Sequence, residues 1–326
     1  MRQKPFIAVV GGMNIDIQGK SFLPFKGGDS NPGSFRILPG GVGRNIAENL
    51  VRLGVRVELL SVLGDDDSSS TLSESCESIG IGLEGTLRLR DSPASRYVCL
   101  LDCDGRLAGA IAAMDSMDSL TPEALAQRAS LLDAADLIIV DANVPEASIR
   151  WLAERYPKGT RRPLLGFDPV SVAKAGRGKP SLGAFAFAKP NRAEAALLTG
   201  LPDSSPEALA SALRKSGLGE AFVSLGAEGL VVEGPGGPSG GDETWRARLP
   251  TRLPPGLETV NASGAGDAAC AAIAWSLLGG HSLGERCALA VAAALLAAAS
   301  PSPVNPAMSA ALLLETAKGI DHERIS

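Results

Sequence analysis

Asn261-Ala-Ser263-Gly264-Ala265-Gly266-Asp267 is followed by an Ala-rich run over 268–278. Small residues opening a helix leave its first N–H groups without intrahelical partners, at the positive end of the helix dipole. Such a turn binds anions, phosphate included. A carboxylate beside a phosphoryl group is repelled unless it has work there, and taking a proton from an attacking hydroxyl is such work. The same residues also read as a Gly-rich turn with Asp267 capping a helix. The segment alone leaves both readings open.

Other segments carry groups that suit a polyol or a metal-bound phosphate. Gly40-Gly41-Val-Gly43-Arg44-Asn45 leads into a helical stretch; its glycines admit a ligand close to the backbone, and Asn45 both donates and accepts. Gly12-Met-Asn14-Ile-Asp16 follows an apolar run. Its two polar side chains at i and i+2 suit a diol, and equally a turn held by Asx bonds. In Lys189-Pro190-Asn191-Arg-Ala-Glu194, Asn191 and Glu194 share a helix face. They read either as holders of Mg²⁺-bound waters or as a helix cap.

Competing fingerprints fail. Gly41-Val-Gly43-Arg-Asn-Ile46 has Ile where a dinucleotide motif needs its third Gly, and Gly178-Lys179 is followed by Pro180 where a P-loop needs Ser or Thr. No protein-kinase H-R-D or D-F-G occurs. The two histidines, His281 and His322, are too few for most His-based metal sites and argue against a Ser-His-Asp triad. The five cysteines form no C-x-x-C pair and read as reduced, intracellular thiols.

Lys plus Arg is 31 against 36 Asp plus Glu, a formal charge of −5, and aromatics are 4%. Neither fits a nucleic-acid or anionic-membrane surface. The longest apolar run, 287–299, is 13 residues, short of the roughly 18 a membrane span needs. It reads as a buried helix. The apolar run at 6–10 is too short for a signal peptide, so a cytoplasmic protein is expected.

The elements that must position these groups alternate. Apolar strands are expected at 6–10, 55–63, 137–140, 164–167, 185–188 and 221–225. Helices are expected at 43–53, 72–79, 121–134, 146–156, 192–199 and 206–216, with Thr121-Pro122 as a cap and first-turn Pro. Strand alternating with helix means a parallel sheet covered on both faces, which binds ligands at the carboxyl ends of its strands. Two excursions, about 17–39 and 95–113, break the alternation and read as a small β sub-domain inserted in one α/β domain spanning 1–326. Residues 234–242 read as a mobile hairpin tip.

Taken together, Gly12-x-Asn14-x-Asp16, Gly40-Gly41-x-Gly43-x-Asn45, Asn191-x-x-Glu194 and Gly264-Ala-Gly-Asp267 resemble the ribokinase, or PfkB, family of carbohydrate and nucleoside kinases. The resemblance runs from about 6 to about 310. Ser30-Asn31-Pro32-Gly33, Asp141-Ala-Asn143 and Asp168-Pro169-Val170-Ser171 resemble the branch that acts on pseudouridine. The resemblance implies a Rossmann-type three-layer α/β sandwich with a small β-sheet lid, and transfer of the ATP γ-phosphate to a 5′-hydroxyl. It implies Asp267 as base, with the N–H groups of Gly264, Ala265 and Gly266 stabilising charge. It assigns Asn14, Asp16, Ser30, Asn31, Gly40, Gly41, Asn45, Ser95, Met114 and Asp168 to substrate. Lys189, Asn191, Glu194, Ser224, Gly226, Gly229, Ser263 and Asn305 go to the nucleotide, with Asn191 and Glu194 holding Mg²⁺ through water. It further implies a homodimer through the lid and a potassium-type ion near 258–261. Ala94 and Ala113 depart from the family pattern on the lid and leave substrate choice open. A kinase of another nucleoside or sugar, and a non-catalytic ligand sensor, remain the alternatives.

Overall fold

The computed structural model describes residues 4–159, 163–236, 240–250 and 257–326. Strand β1 (Phe6–Val10) leads through β2 (Asn14–Ser21) and β3 (Gly33–Gly40) to helix α1 (Val42–Arg52), β4 (Arg56–Leu60) and β5 (Val62–Leu63). Helix α2 (Asp67–Ile79) and β6 (Leu87–Arg88) precede the hairpin β7 (Arg96–Leu101) and β8 (Leu107–Ala113). Then come α3 (Pro122–Ala126), α4 (Ala129–Asp133), β9 (Leu137–Asp141), α5 (Glu146–Arg155), β10 (Leu164–Asp168), α6 (Val172–Ala175) and β11 (Phe187–Ala188). The last third holds α7 (Arg192–Thr199), α8 (Pro206–Lys215), β12 (Glu220–Ser224), β13 (Leu230–Pro235), β14 (Asp242–Arg248), α9 (Ala265–Gly279), α10 (Leu283–Ala298), α11 (Ala310–Ala317) and β15 (Asp321–Arg324).

The nine-stranded sheet runs in the order β15-β14-β13-β12-β11-β10-β9-β1-β4. Its six strands from β4 to β12 are parallel, and β13 to β15 extend the sheet antiparallel, with β15 at the edge. Alternate residues of β1 feed opposite cores. Ile7 and Val9 join the layer of α1, α9 and α10, whereas Ala8 and Val10 face α5 and α8. Helices α9 and α10 are packed with buried Ala, as expected for the 287–299 run. No helix among the described residues is long and apolar enough to cross a membrane.

A separate four-stranded sheet, β3-β2-β7-β8, is built from the two excursions. The hairpin expected at 234–242 joins β13 to β14, with residues 237–239 of its tip outside the described residues. The helix expected at 121–134 is two short helices. Arg128 breaks it, leaving helical geometry while its side chain donates to the carbonyls of Gly85 (2.6 Å) and Ala124 (2.9 Å). The strand expected at 55–63 breaks at Ser61, because the Leu60 carbonyl still serves Gly11 while that of Ser61 accepts from Leu87 of β6. The edge strands β13 to β15 did not emerge from the apolar runs, since β14 and β15 are mostly charged or polar.

Candidate active site

The carboxyl ends of β1, β9 and β10 and the start of α9 converge. Asp267 lies in the first turn of α9, behind Gly264 at φ 78°. A Cβ on Gly264 would stand 1.9 Å from the Pro303 carbonyl oxygen, so only glycine fits this turn. Asp267 Oδ2 accepts from Asn45 Nδ2 at 2.9 Å. Loss of water around the carboxyl, then the nearby Asp168, push its pKa up to about 7, against the Asn45 bond and the Lys189 charge.

Lys189 is buried, with Nζ 3.6 Å from Asp168 Oδ2. A Cβ added at Gly266 would lie 3.2 Å from that ammonium, so Lys189 sits at the mouth of α9. Burial alone would lower the Lys189 pKa; Asp168, helped by Glu194 and Asp267, reverses the sign and holds it above its ordinary value. Asp168 Oδ1 accepts from Val170 N at 2.9 Å, whereas Oδ2 is buried without a hydrogen-bond partner. Val170 takes φ 65°, a costly conformation for a β-branched residue, and this turn aims Asp168 at Lys189.

On the opposite wall, Asn14 Nδ2 donates to Asp16 Oδ1 at 2.6 Å. Burial raises the Asp16 pKa, opposed by Asn14 and Arg44. Asn14 pairs with Gly40 in the β2–β3 register, and a Cβ at Gly40 would come within 2.2 Å of the Asp16 carboxylate. Gly41, at φ 101°, precedes α1 and delivers Asn45 to Asp267. Asn45 thus links the small-sheet group of Asn14, Asp16, Gly40 and Gly41 to Asp267, which has Lys189 and Asp168 beside it.

Asn191 and Glu194 form a reciprocal capping box on α7. Glu194 N donates to Asn191 Oδ1 (2.9 Å), while the Glu194 carboxylate accepts from Asn191 N (2.9 Å) and Nδ2 (2.8 Å). The cap reading is therefore present in the structure. Each Glu194 oxygen still has a lone pair, whereas Asp168 Oδ2 is ion-paired with Lys189. Among the described residues no group of three or more acidic, His or Cys side chains could hold a metal ion directly, so Mg²⁺ here would be held through its own waters.

Ser224, Gly226 and Gly229 line a cavity of about 320 Å³ with Ala265, Gly266 and small apolar residues of α10, among them Ala290 and Ala294. Ser263 is exposed nearby, its N–H held by Asn261 Oδ1 at 3.0 Å.

Five expected site residues lie or are engaged elsewhere. Asn305 does not line the cavity. Its Nδ2 donates to the Leu296 carbonyl (2.7 Å) and its Oδ1 accepts from Ala307 N (2.9 Å), so the amide closes a turn after α10. Ser95 is buried and its hydroxyl bonds Ser116 at 2.7 Å. Ser30 and Asn31 lie on an exposed loop beyond the far end of β2, seven residues past Asn14, or about 23 Å along the strand. The Asn31 amide is used up bonding Lys26 and Asp29. Met114 packs, half-buried, against the core on the β9 side.

Two residues escaped the sequence reading of the site. Asp141, fully buried at the end of β9, accepts from Gly12 N and Asn143 N, both at 2.8 Å, and burial pushes its pKa up to about 6. Lys174 donates to Asn143 Oδ1 at 2.6 Å. A signal for Asp141 was present, since the Asp141-Ala-Asn143 motif repeats the i, i+2 polar pair seen after β1; no such pattern marks Lys174.

A carboxylate of raised pKa at a helix N-terminus with an ammonium beside it supplies groups that a phosphoryl transfer needs. The chain belongs to the pfkB family of carbohydrate kinases, whose signature matches residues 4–310. Pseudouridine kinase of Escherichia coli is 32% identical over 95% of this chain and 96% of its own length. A carbohydrate kinase from Agrobacterium tumefaciens superposes with TM-score 0.81 at 29% identity, covering 98% of this chain and all of its own. Arabidopsis thaliana ribokinase, solved with ribose and ATP, shares the fold with TM-score 0.80 at 23% identity over 97% and 99% of the two chains.

Proposed function

We propose that this kinase transfers the γ-phosphoryl group of ATP to the 5′-hydroxyl of pseudouridine. The observation that carries the reaction is Asp267, set in the first turn of α9 and tied to Asn45 of the substrate wall. The full-length similarity to a pseudouridine kinase supports the substrate. The ribose is held by Asn14, Asp16, Gly41 and Asn45, and its 5′-hydroxyl faces Asp267. Asp267 takes the hydroxyl proton as the oxygen attacks phosphorus, and a carboxylate with pKa near 7 is well matched to that transfer. The N–H groups of Gly264, Ala265 and Gly266, with Lys189, stabilise charge on the moving phosphoryl group. The 320 Å³ cavity receives the adenine. Asn191 and Glu194 would hold Mg²⁺ through water, and the metal would offset phosphate charge.

The small sheet acts as a lid and as the dimer contact. Phe35, Ile37, Leu107 and Ile111 are exposed on it, an apolar surface that calls for a partner. Ser30 and Asn31 then reach the nucleoside only through closure or assembly. The cysteines, all unpaired, fit a cytoplasmic setting.

The test is ADP release with Mg-ATP across pseudouridine, uridine, cytidine, inosine, adenosine, ribose and fructose. A strong preference for pseudouridine is expected. Preference for another acceptor overturns the substrate and keeps the kinase; no turnover on any, with a melting shift for one, overturns the catalytic reading in favour of a sensor.

A further inference from the structure

Arg44 carries no role in the reaction described above, yet it is buried on α1 one residue from Asn45. One guanidinium nitrogen, NH1, donates to Asn45 Oδ1 at 3.3 Å. The other, NH2, pairs with Glu48 Oε2 at 2.8 Å and donates to Ser75 Oγ at 3.3 Å. Glu48 is in turn held by Arg52 through two bonds of 2.9 and 2.6 Å. Residues 44, 48 and 52 are spaced i, i+4, i+8, so the chain of charges runs along one face of α1 and ends beside the Asp267 partner.

These bonds have a fixed direction. A guanidinium only donates, so the amide facing it must present oxygen. With Oδ1 turned to Arg44, Asn45 has its Nδ2 free for Asp267, where it stands 2.9 Å from Oδ2. An amide turned over would set its oxygen against a carboxylate oxygen, acceptor against acceptor. Nitrogen and oxygen of an amide are nearly equal in size, so packing does little to prevent the flip; the donor on the other side does.

We propose that Arg44 is a positioning residue for the phosphoryl transfer, fixing the Asn45 amide so that it donates to Asp267. The inference rests on Asp267 being the base.

A double-mutant cycle tests it, run on whichever alcohol the wild-type enzyme phosphorylates. Arg44→Met is expected to lower kcat/KM about tenfold, the size of one hydrogen bond to a charged group. In the Asn45→Ala background the same change should cost about twofold or less, because the residue it acts through is gone. Equal losses in both backgrounds overturn the proposal. A second readout is the acid limb of the kcat/KM profile. Asp267 is faced by Asp168 from β10, Asp141 from β9, Lys189 from the turn after β11, Asn45 from α1 and Cys270 from its own helix. Of these groups only Asn45 is bonded to Arg44, so in Arg44→Met the acid limb set by Asp267 should move to higher pH. The charge that Arg44 also lends to Asp16 is lost equally in the Asn45→Ala background, where the limb should not move further. An unmoved limb with a lowered active fraction indicates a merely structural role and overturns the proposal. Should Arg44→Met fail to fold, Arg44→Lys, which keeps a cation beside Glu48 without the fork, goes through the same cycle with the same two outcomes. A wild-type preference for another acceptor would overturn the substrate above and leave this inference standing. Near-wild-type turnover in Asp267→Asn would remove the base on which it rests.

Discussion

Replacing Asp267 by Asn should move activity and stability in opposite directions. The amide keeps the shape of the carboxyl but neither takes a proton nor carries charge. The kcat is expected to fall by ~10²–10⁴, the usual size of a general-base contribution, with KM for the acceptor little changed. Folding should gain. The rise of the Asp267 pKa from an ordinary 3.8 to about 7 means that the ionised carboxylate opposes folding. The cost is at most about 4 kcal/mol above pH 7, at ~1.4 kcal/mol per tenfold. The sign follows from the protons bound. Between pH 4 and 7 the unfolded chain has lost this proton and the folded chain has kept it, so the contribution to stability falls as pH rises and levels off above pH 7. Asn does not titrate, so Asp267→Asn should gain more melting temperature at pH 8 than at pH 5. For the same reason wild-type kcat/KM should climb as pH passes 7. The assays are steady-state ADP release and thermal melts at the two pH values. Near-wild-type turnover would refute the base. A melting temperature at pH 8 that is unchanged or lower would refute the claim that the site holds this charge at a cost.

Three further outcomes are expected. Lys189→Met leaves Asp168 buried beside an apolar side chain and should destabilise the fold by about 3–5 kcal/mol; denaturant titration checks this, and adding Asp168→Asn should restore much of the loss. Gly264→Ala drives a Cβ into the Pro303 carbonyl at positive φ, so melting should drop and turnover should fall together. Phe35→Glu puts a charge on the exposed apolar face of the small sheet and should shift the assembly to monomer, as read by light scattering; a protein that is monomeric before the change would refute the dimer.

The clearest parts of the fold came from segments where local and global demands agree. Phe6–Val10 is apolar at every position and ends in Gly11-Gly12, so its limits are unambiguous. Arg192–Thr199 carries its own capping box and its own left-handed glycine stop. The edge strands were hidden because Asp242–Arg248 alternates charge with half-buried groups, a pattern any polar loop shares. Site residues divide in the same way. Asn14, Asp16, Asn45 and Asp267 are placed by the glycines beside them, which sequence displays. Whether Asn31 or Asn305 has an amide free for a ligand depends on carbonyls that only the folded chain brings within reach, at Lys26 and Asp29 for one and Leu296 for the other. Asn191 and Glu194 form the cap of one reading, and the lone pairs that a capping carboxylate retains are what the proposed metal would use.

Asn14 and Asp16 open β2, a strand of the small sheet, while Asp267 and Lys189 belong to the rim of the large one. Under the proposed reaction, an acceptor gripped by the first pair and offered to the second becomes a strut between two otherwise separate sheets. Its length is then gauged against the cleft: an alcohol too short leaves the sheets untied, and one too long holds them apart. The gap from Asp16 to Asp267 would serve as a ruler for the acceptor as much as a binding site.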